Sequence, residues 1–272
     1  MLKKLFYNER AGKLTTLADI FDLTNKTAII TGGGSGLGKQ MALALAEAGA
    51  NIVIASRKLS VCKEVCEHLQ SLGTKALAIE CDITNKNDIE TVVKETMNQF
   101  GSIDILVNNS GTSWSGPLTE IPEDKWEKVM KVNVTGTFLF SQAVAEIMMK
   151  QKSGKIINIA SVSGLGGTNP DLMETLPYNT SKGAIITMTK DLGVKLARYG
   201  IQVNAIAPGF FPTKITKKLL EESDYDILGK TPANRFGNEV DLKGAAVLLA
   251  SKASDYIVGH VLIVDGGITA LI

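Results

Sequence analysis

The chain has 272 residues, with 29 lysines and arginines against 28 aspartates and glutamates, so its formal charge is +1. That balance excludes a nucleic-acid binder relying on a broad basic surface. A hydrophobic share of 44% excludes disordered, collagenous and coiled-coil chains and leaves ample material for a core. Cys62, Cys66 and Cys81 cannot all pair within the chain, which points to a reducing compartment. The opening MLKKLFYNERAG carries charge where a signal peptide needs an apolar run, and no apolar stretch approaches the ~18 residues of a membrane span. The expectation is a soluble, cytoplasmic protein with no membrane or nucleic-acid partner.

Short apolar runs alternate with helical patterns. TAIIT (Thr27–Thr31) reads as a buried strand, followed by a helix over Leu37–Ala48. NIVIA (Asn51–Ala55) precedes a helix over Val61–Leu72, and ALAIE (Ala76–Glu80) one over Ile89–Phe100. IDILVN (Ile103–Asn108) is followed by a helical pair, one member around Trp126 and one around Val144. KIINIA (Lys155–Ala160) leads to a long helix from about Tyr178 to Tyr199, and QVNAIA (Gln202–Ala207) and HVLIV (His260–Val264) close the series. Repeated strand–helix alternation with near-continuous Val/Ile/Leu runs predicts an α/β fold of about seven strands. It is a single-domain, Rossmann-type, doubly wound parallel sheet with helices on both faces. Residues 1–22 are expected to be an N-terminal extension over the surface, and 23–272 the domain. Two long irregular stretches, Gly164–Pro177 and Pro208–Thr231, are candidate binding loops.

TGGGSGLG (Thr31–Gly38) follows the first strand and opens the first helix. Glycines there permit a tight turn and a close backbone approach to a pyrophosphate, which the helix N-terminus then favours. Gly32, Ser35, Gly36, Leu37 and Gly38 are the candidate contacts. The second strand ends in Ser56, Arg57 and Lys58, where a site preferring NAD usually places a carboxylate. A serine followed by two cations suits a ribose 2′-phosphate, so NADP(H) is favoured and NAD(H) stays open. The competing reading of Arg57 and Lys58 is solvated charge at a helix start. Asp82, just past the third strand, either bonds an adenine edge or makes a turn.

YNTSK puts Tyr178 and Lys182 on one helix face. A phenol ordinarily titrates near ~10, and a neighbouring cation is expected to lower it toward useful proton transfer. The helix follows a strand whose end carries Ser161 and Ser163. With NNSG (Asn108–Gly111), Asn133 in VNVTG, PGFFPT (Pro208–Thr213) and VDGG (Val264–Gly267), the chain resembles the short-chain dehydrogenase/reductase family over nearly its whole length.

The resemblance implies an NAD(P)-dependent oxidoreductase that interconverts a ketone and a secondary alcohol. Tyr178 would be the acid in reduction and the base in oxidation. Lys182 would hold the nicotinamide ribose and lower the phenol's pKa. Ser161, favoured over Ser163 by alignment, would bond the substrate oxygen, and Asn133 would support a water-linked proton path. Asp82, Ile83, Asn109, Gly111, Pro208, Gly209, Phe211 and Thr213 complete the expected cofactor contacts. Phe210, Phe211 and Pro212 read either as a lid or as core. Ser110 departs from the family's usual alanine, and the Ser161–Tyr178 stretch is longer than usual. That loop is expected to wall the substrate site with Leu172 and Met173, and Trp114 to flank it. The chain's two ends resemble gluconate 5-dehydrogenase-like members, which implies a polyol or keto sugar acid. A 3-oxoacyl-[acyl-carrier-protein]-type reductase is the alternative, and Lys214, Lys217 and Lys218 fit either. A non-catalytic dinucleotide-binding redox sensor ranks below both. His68 and His260 are isolated, so no metal site is expected. Helices that are apolar on several faces, with the resemblance, imply a homodimer or homotetramer.

Overall fold

The structure, a computed structural model, describes residues 15–213, 216 and 226–271. Strands covered on both faces can be buried at every position, and the central ones here are. β1 (Thr27–Thr31), β4 (Ile105–Asn108) and β5 (Gly154–Ile159) have no residue outside the interior. With β2 (Asn51–Ser56), β3 (Ala76–Glu80), β6 (Ile201–Pro208) and β7 (Val261–Val264) they form one parallel sheet of order β3-β2-β1-β4-β5-β6-β7. Successive side chains on a strand face opposite layers. Ile30, Ile54 and Val107 therefore pack under α2 (Gly36–Glu47), α3 (Leu59–Ser71) and α8 (Lys243–Ala250). Ile29, Val53 and Leu106 pack under α4 (Lys86–Phe100), α6 (Thr137–Gln151) and α7 (Leu176–Leu196). This is the Rossmann-type doubly wound architecture. The strand order reverses between β1 and β4, which opens a crevice above their C-terminal ends.

Apart from shifts of up to three residues at the ends of other elements, four details differ from the sequence reading. The expected helical pair is one continuous rod: α5 (Glu123–Met130) runs into α6 through a π-helical segment, Lys131–Gly136. That segment lies against Ile83, whose Cδ1 would be 2.7 Å from a Cβ at Gly136. The long helix starts two residues early, at Leu176, because Pro177 fits a first turn that needs no N–H donor. It ends at Leu196, and a 3₁₀ turn covers Ala197–Tyr199 before Gly200 reverses the chain. α8 was not anticipated. Within the expected extension, α1 (Leu17–Phe21) is capped reciprocally by Thr16 and Asp19, buries no residue, and rests on the Lys252–Ser254 turn. Residues 1–14 lie outside the described residues.

Candidate active site

The first wall of the crevice is the glycine loop. Gly32 and Gly36 have φ of 65° and 53°, the left-handed region that L side chains avoid. A Cβ at Gly38 would sit 2.5 Å from the Gly32 carbonyl, so α2 can start only with glycine there. Ser35 caps α2 in extended conformation without spending its side chain on the helix. Thr31 ties this loop to the next: its hydroxyl accepts from Asn109 N and Ser110 N, both at 3.0 Å. Asn109 Nδ2 donates back to the Thr31 carbonyl at 3.0 Å and the Gly32 carbonyl at 3.2 Å. Opposite Gly36 stands the methyl of Thr213, 3.6 Å from where a Cβ would be, so the segment after β6 arches over the cradle.

At the β2 end, Ser56 Oγ accepts from Lys58 N at 3.3 Å, and Arg57 and Lys58 are exposed. Burial pushes the Cys62 thiol up despite the opposing effect of Ser56. Asp82 makes a turn: its Oδ1 accepts from Thr84 N at 2.9 Å and Thr84 Oγ1 at 2.8 Å. Burial works to raise this carboxyl, but the Thr84 bonds and the charges of Arg57 and Lys131 hold it below its ordinary value. The turn reading is thus realised, with both cations in electrostatic reach. Ile83 is buried beneath Gly136.

The second wall is built by β5, the π segment and α7. Ser161 stands two residues past β5 and caps a 3₁₀ turn, its Oγ accepting from Ser163 N at 3.1 Å. A Cβ at Gly164 would be 2.6 Å from the Lys182 carbonyl carbon. That close approach seats the turn on α7 and brings the Ser161 and Tyr178 side chains within electrostatic reach of each other. Burial pushes the Tyr178 phenol up, and Ser161 only partly offsets it. The net direction is opposite to the lowering expected from Lys182. The ammonium is 5.6 Å from the ring centroid and is turned to the Ile159 carbonyl at 2.6 Å. Burial lowers Lys182 to about 8. Asn133, fully buried, clasps the β4–α5 loop. Its Oδ1 accepts from Thr112 N at 2.8 Å, and its Nδ2 donates to Thr112 O and to Ser181 Oγ, both at 2.9 Å. Gly111 lies between, where a Cβ would be 3.4 Å from Asn133 Oδ1 and 3.9 Å from Lys182 Nζ.

Thr31, Thr112, Gly164 and Ser181 escaped the sequence reading. Ser181 could have been found, since it stands inside YNTSK one residue before the lysine. Among the looser candidates, Leu172 and Met173 are half-buried, and the Trp114 ring lies against Gly116. Phe211 is core: it is 3% exposed and packs against Gly237, so only its backbone faces the crevice loop. Gly209 closes on Asp265. Lys214, Lys217 and Lys218 lie outside the described residues.

A glycine cradle at the switch point of a doubly wound sheet, facing a tyrosine, a serine and a buried lysine, defines a dinucleotide-dependent oxidoreductase. Residues 26–224 match the family model described as short chain dehydrogenase, and the chain belongs to that family. It is an oxidoreductase of CH–OH groups that takes a nicotinamide dinucleotide. The chain is 42% identical over 251 residues to 5-keto-D-gluconate 5-reductase of Escherichia coli K12, covering 92% of this chain and 97% of that one. It is 36% identical to gluconate 5-dehydrogenase of Gluconobacter oxydans over 253 residues, 92% and 97% of the two chains. Among solved structures, gluconate 5-dehydrogenase of Burkholderia cenocepacia in complex with NADP and tartrate superposes with a TM-score of 0.89 at 38% identity, covering 94% of this chain and all of that one.

Proposed function

We propose that this protein is an NADP(H)-dependent enzyme interconverting a keto sugar acid and its secondary alcohol, with Tyr178, Ser161, Lys182 and Asn133 as its catalytic residues. The observation that carries the reading is the convergence of Ser161, Tyr178 and Lys182 beside the glycine cradle: Gly164 seats the Ser161 turn on α7, and Lys182 Nζ lies 5.6 Å from the Tyr178 ring centroid. The substrate class is supported by relatives named for 5-keto-D-gluconate and gluconate. The cofactor choice is supported by Ser56, Arg57 and Lys58 at the end of β2, and by the NADP in the Burkholderia structure.

The residues present fit a dinucleotide. Gly32, Ser35, Gly36, Leu37 and Gly38 offer backbone to a pyrophosphate without a side chain in the way. Ser56, Arg57 and Lys58 would take the 2′-phosphate, and Asp82 and Ile83 the adenine. Asn109, Gly111, Tyr178 and Lys182 would take the ribose and nicotinamide, with Pro208, Gly209, Thr213 and the Phe211 backbone along the carboxamide. When bound, the dinucleotide supplies the hydride for reduction or accepts it in oxidation. The protein's own work is proton transfer and charge balance. In reduction Tyr178 Oη gives its proton to the carbonyl oxygen, while the Ser161 hydroxyl donates a hydrogen bond to that oxygen as negative charge develops there. In oxidation Tyr178 Oη takes the proton back. Lys182, lowered by burial to about 8, can release or regain a proton near neutral pH and so reset the phenol. Asn133 holds the π segment and the Thr112 loop around that path.

A cytoplasmic enzyme of two or four copies belongs to the same proposal. The support is three buried free thiols and an apolar crevice between α6 and α7, lined by Phe138, Ala145, Met149 and Leu192. A light-scattering mass equal to one copy removes the assembly. The function itself is tested by following NADPH and NADH absorbance with 5-keto-gluconate and with 3-oxoacyl esters. Consumption of NADPH with the keto sugar acid is expected. Turnover of 3-oxoacyl esters alone, or tight NADPH binding with no turnover of any ketone, overturns it.

A further inference from the structure

We propose that Asn179 is a positioning residue for substrate selection. Its carboxamide holds the 164–177 segment shut beside Tyr178 and so fixes the wall that the carbon chain of the substrate meets. The inference rests on the function proposed above.

Asn179 Nδ2 donates to Thr168 Oγ1 at 2.6 Å, which closes a loop of 11 residues along the chain. Its Oδ1 accepts from Thr175 Oγ1 at 2.9 Å, and its backbone N donates to Thr175 O at 3.0 Å. One carboxamide thus uses a donor and an acceptor on two threonines, a combination that no apolar or purely acidic side chain reproduces in the same sense. The Thr175 hydroxyl shows what the bond displaces. Thr175 is the N-cap of α7, where a threonine normally accepts from a free helix N–H; here it makes no cap bond. Forgoing a cap is unfavourable for the helix. The hydroxyl goes to Asn179 instead, so local helix energetics do not account for the arrangement.

The closed loop is also joined to the other side of the crevice. Glu174 O accepts from Gly116 N at 2.9 Å, and Gly116 lies under the Trp114 ring. Within the loop the Asn169 carbonyl accepts from Leu172 N at 2.9 Å and Met173 N at 3.0 Å, a turn that leaves both side chains half-buried. Two segments, 112–117 and 164–177, therefore form one frame. Its hinge at α7 is the residue next to the phenol. Releasing Asn179 loosens the frame without removing any group that touches the reacting atoms.

The test compares full-length Asn179→Ala, Thr168→Val and the double variant with wild type. The substrates are 5-keto-gluconate and a small ketone such as cyclohexanone, with NADPH affinity followed by fluorescence. The expected result for each single variant is a KM for 5-keto-gluconate raised about tenfold, with kcat, small-ketone kcat/KM and NADPH affinity within about twofold of wild type. The double variant should be no worse than Asn179→Ala, which already removes the bond to Thr168. Unchanged KM for 5-keto-gluconate, or equal losses with both ketones, overturns the proposal. Should Asn179→Ala fail to fold, Thr168→Val decides alone. Wild-type enzyme that ignores keto sugar acids but reduces 3-oxoacyl esters defeats the substrate reading only. Asn179 then still predicts a raised KM for the longer ester relative to the small ketone, and an unchanged ratio defeats it.

Discussion

Tyr178 and Lys182 stand one helical turn apart, yet burial moves them in opposite senses. It raises the phenol above its ordinary value and lowers the ammonium to about 8, because in each case the uncharged form is favoured. A raised phenol is protonated at neutral pH, ready to donate in reduction and slow to accept in oxidation. Alcohol oxidation by the wild-type enzyme should therefore climb with pH into the alkaline range, its logarithm rising about one unit per pH unit, while ketone reduction stays flat near neutrality. An oxidation rate independent of pH would contradict this. For stability the lysine sets the sign. Between about 8 and the ordinary 10.5 the unfolded chain binds the proton that the folded chain has released, so stability rises with pH through that window. Measured by thermal melting, wild type should gain on Lys182→Met from pH 8 to pH 10; parallel curves would refute it. At the other end of the crevice, Arg57→Asp should weaken NADPH at least about tenfold while leaving NADH within a few-fold, since it exchanges a phosphate-binding cation for a ribose-binding carboxylate. Equal losses for both would remove the NADP assignment.

At the scale of elements, the π segment is the part that the sequence did not disclose. Over six residues, α- and π-helical turns place apolar groups almost alike, so KVNVTG carries no distinct period. The wider turn is a tertiary feature: it lies against Ile83 and aims Asn133 at the Thr112 backbone. Asn133→Ala would strand the part-buried N–H and carbonyl of Thr112 and take one of the two bonds of the Ser181 hydroxyl, whose other goes to the Tyr178 carbonyl. It should cost about 2–4 kcal/mol, read by denaturant unfolding, and loosen the β4–α5 loop. A loss under about 0.5 kcal/mol would show that the clasp is replaceable. By contrast β1, β3 and the glycine loop were legible to the residue. Both strands are short apolar runs bounded by polar residues, and a strand-to-helix turn needing positive φ must spend glycine. α8 is short and was passed over for lack of a clear polar face.

At the scale of the whole molecule, the sheet order brings residues from five separate segments to one crevice. Motif order along the chain was enough to anticipate which would meet: Gly32–Gly38, Asn109, Asn133, Ser161, Tyr178. It was not enough to show what each does for the others. The Lys182 ammonium faces the carbonyl at the end of β5, not the phenol beside it in sequence, and that contact spans 23 residues. Phe211 likewise reads as either lid or core in one dimension and is core in three. The account stands on proton transfer through the Tyr178 hydroxyl. Its most direct test is Tyr178→Phe, assayed for keto sugar acid reduction alongside NADPH affinity. Turnover should fall about 10²–10⁴-fold with NADPH binding within about twofold of wild type. Turnover equal to wild type would contradict it.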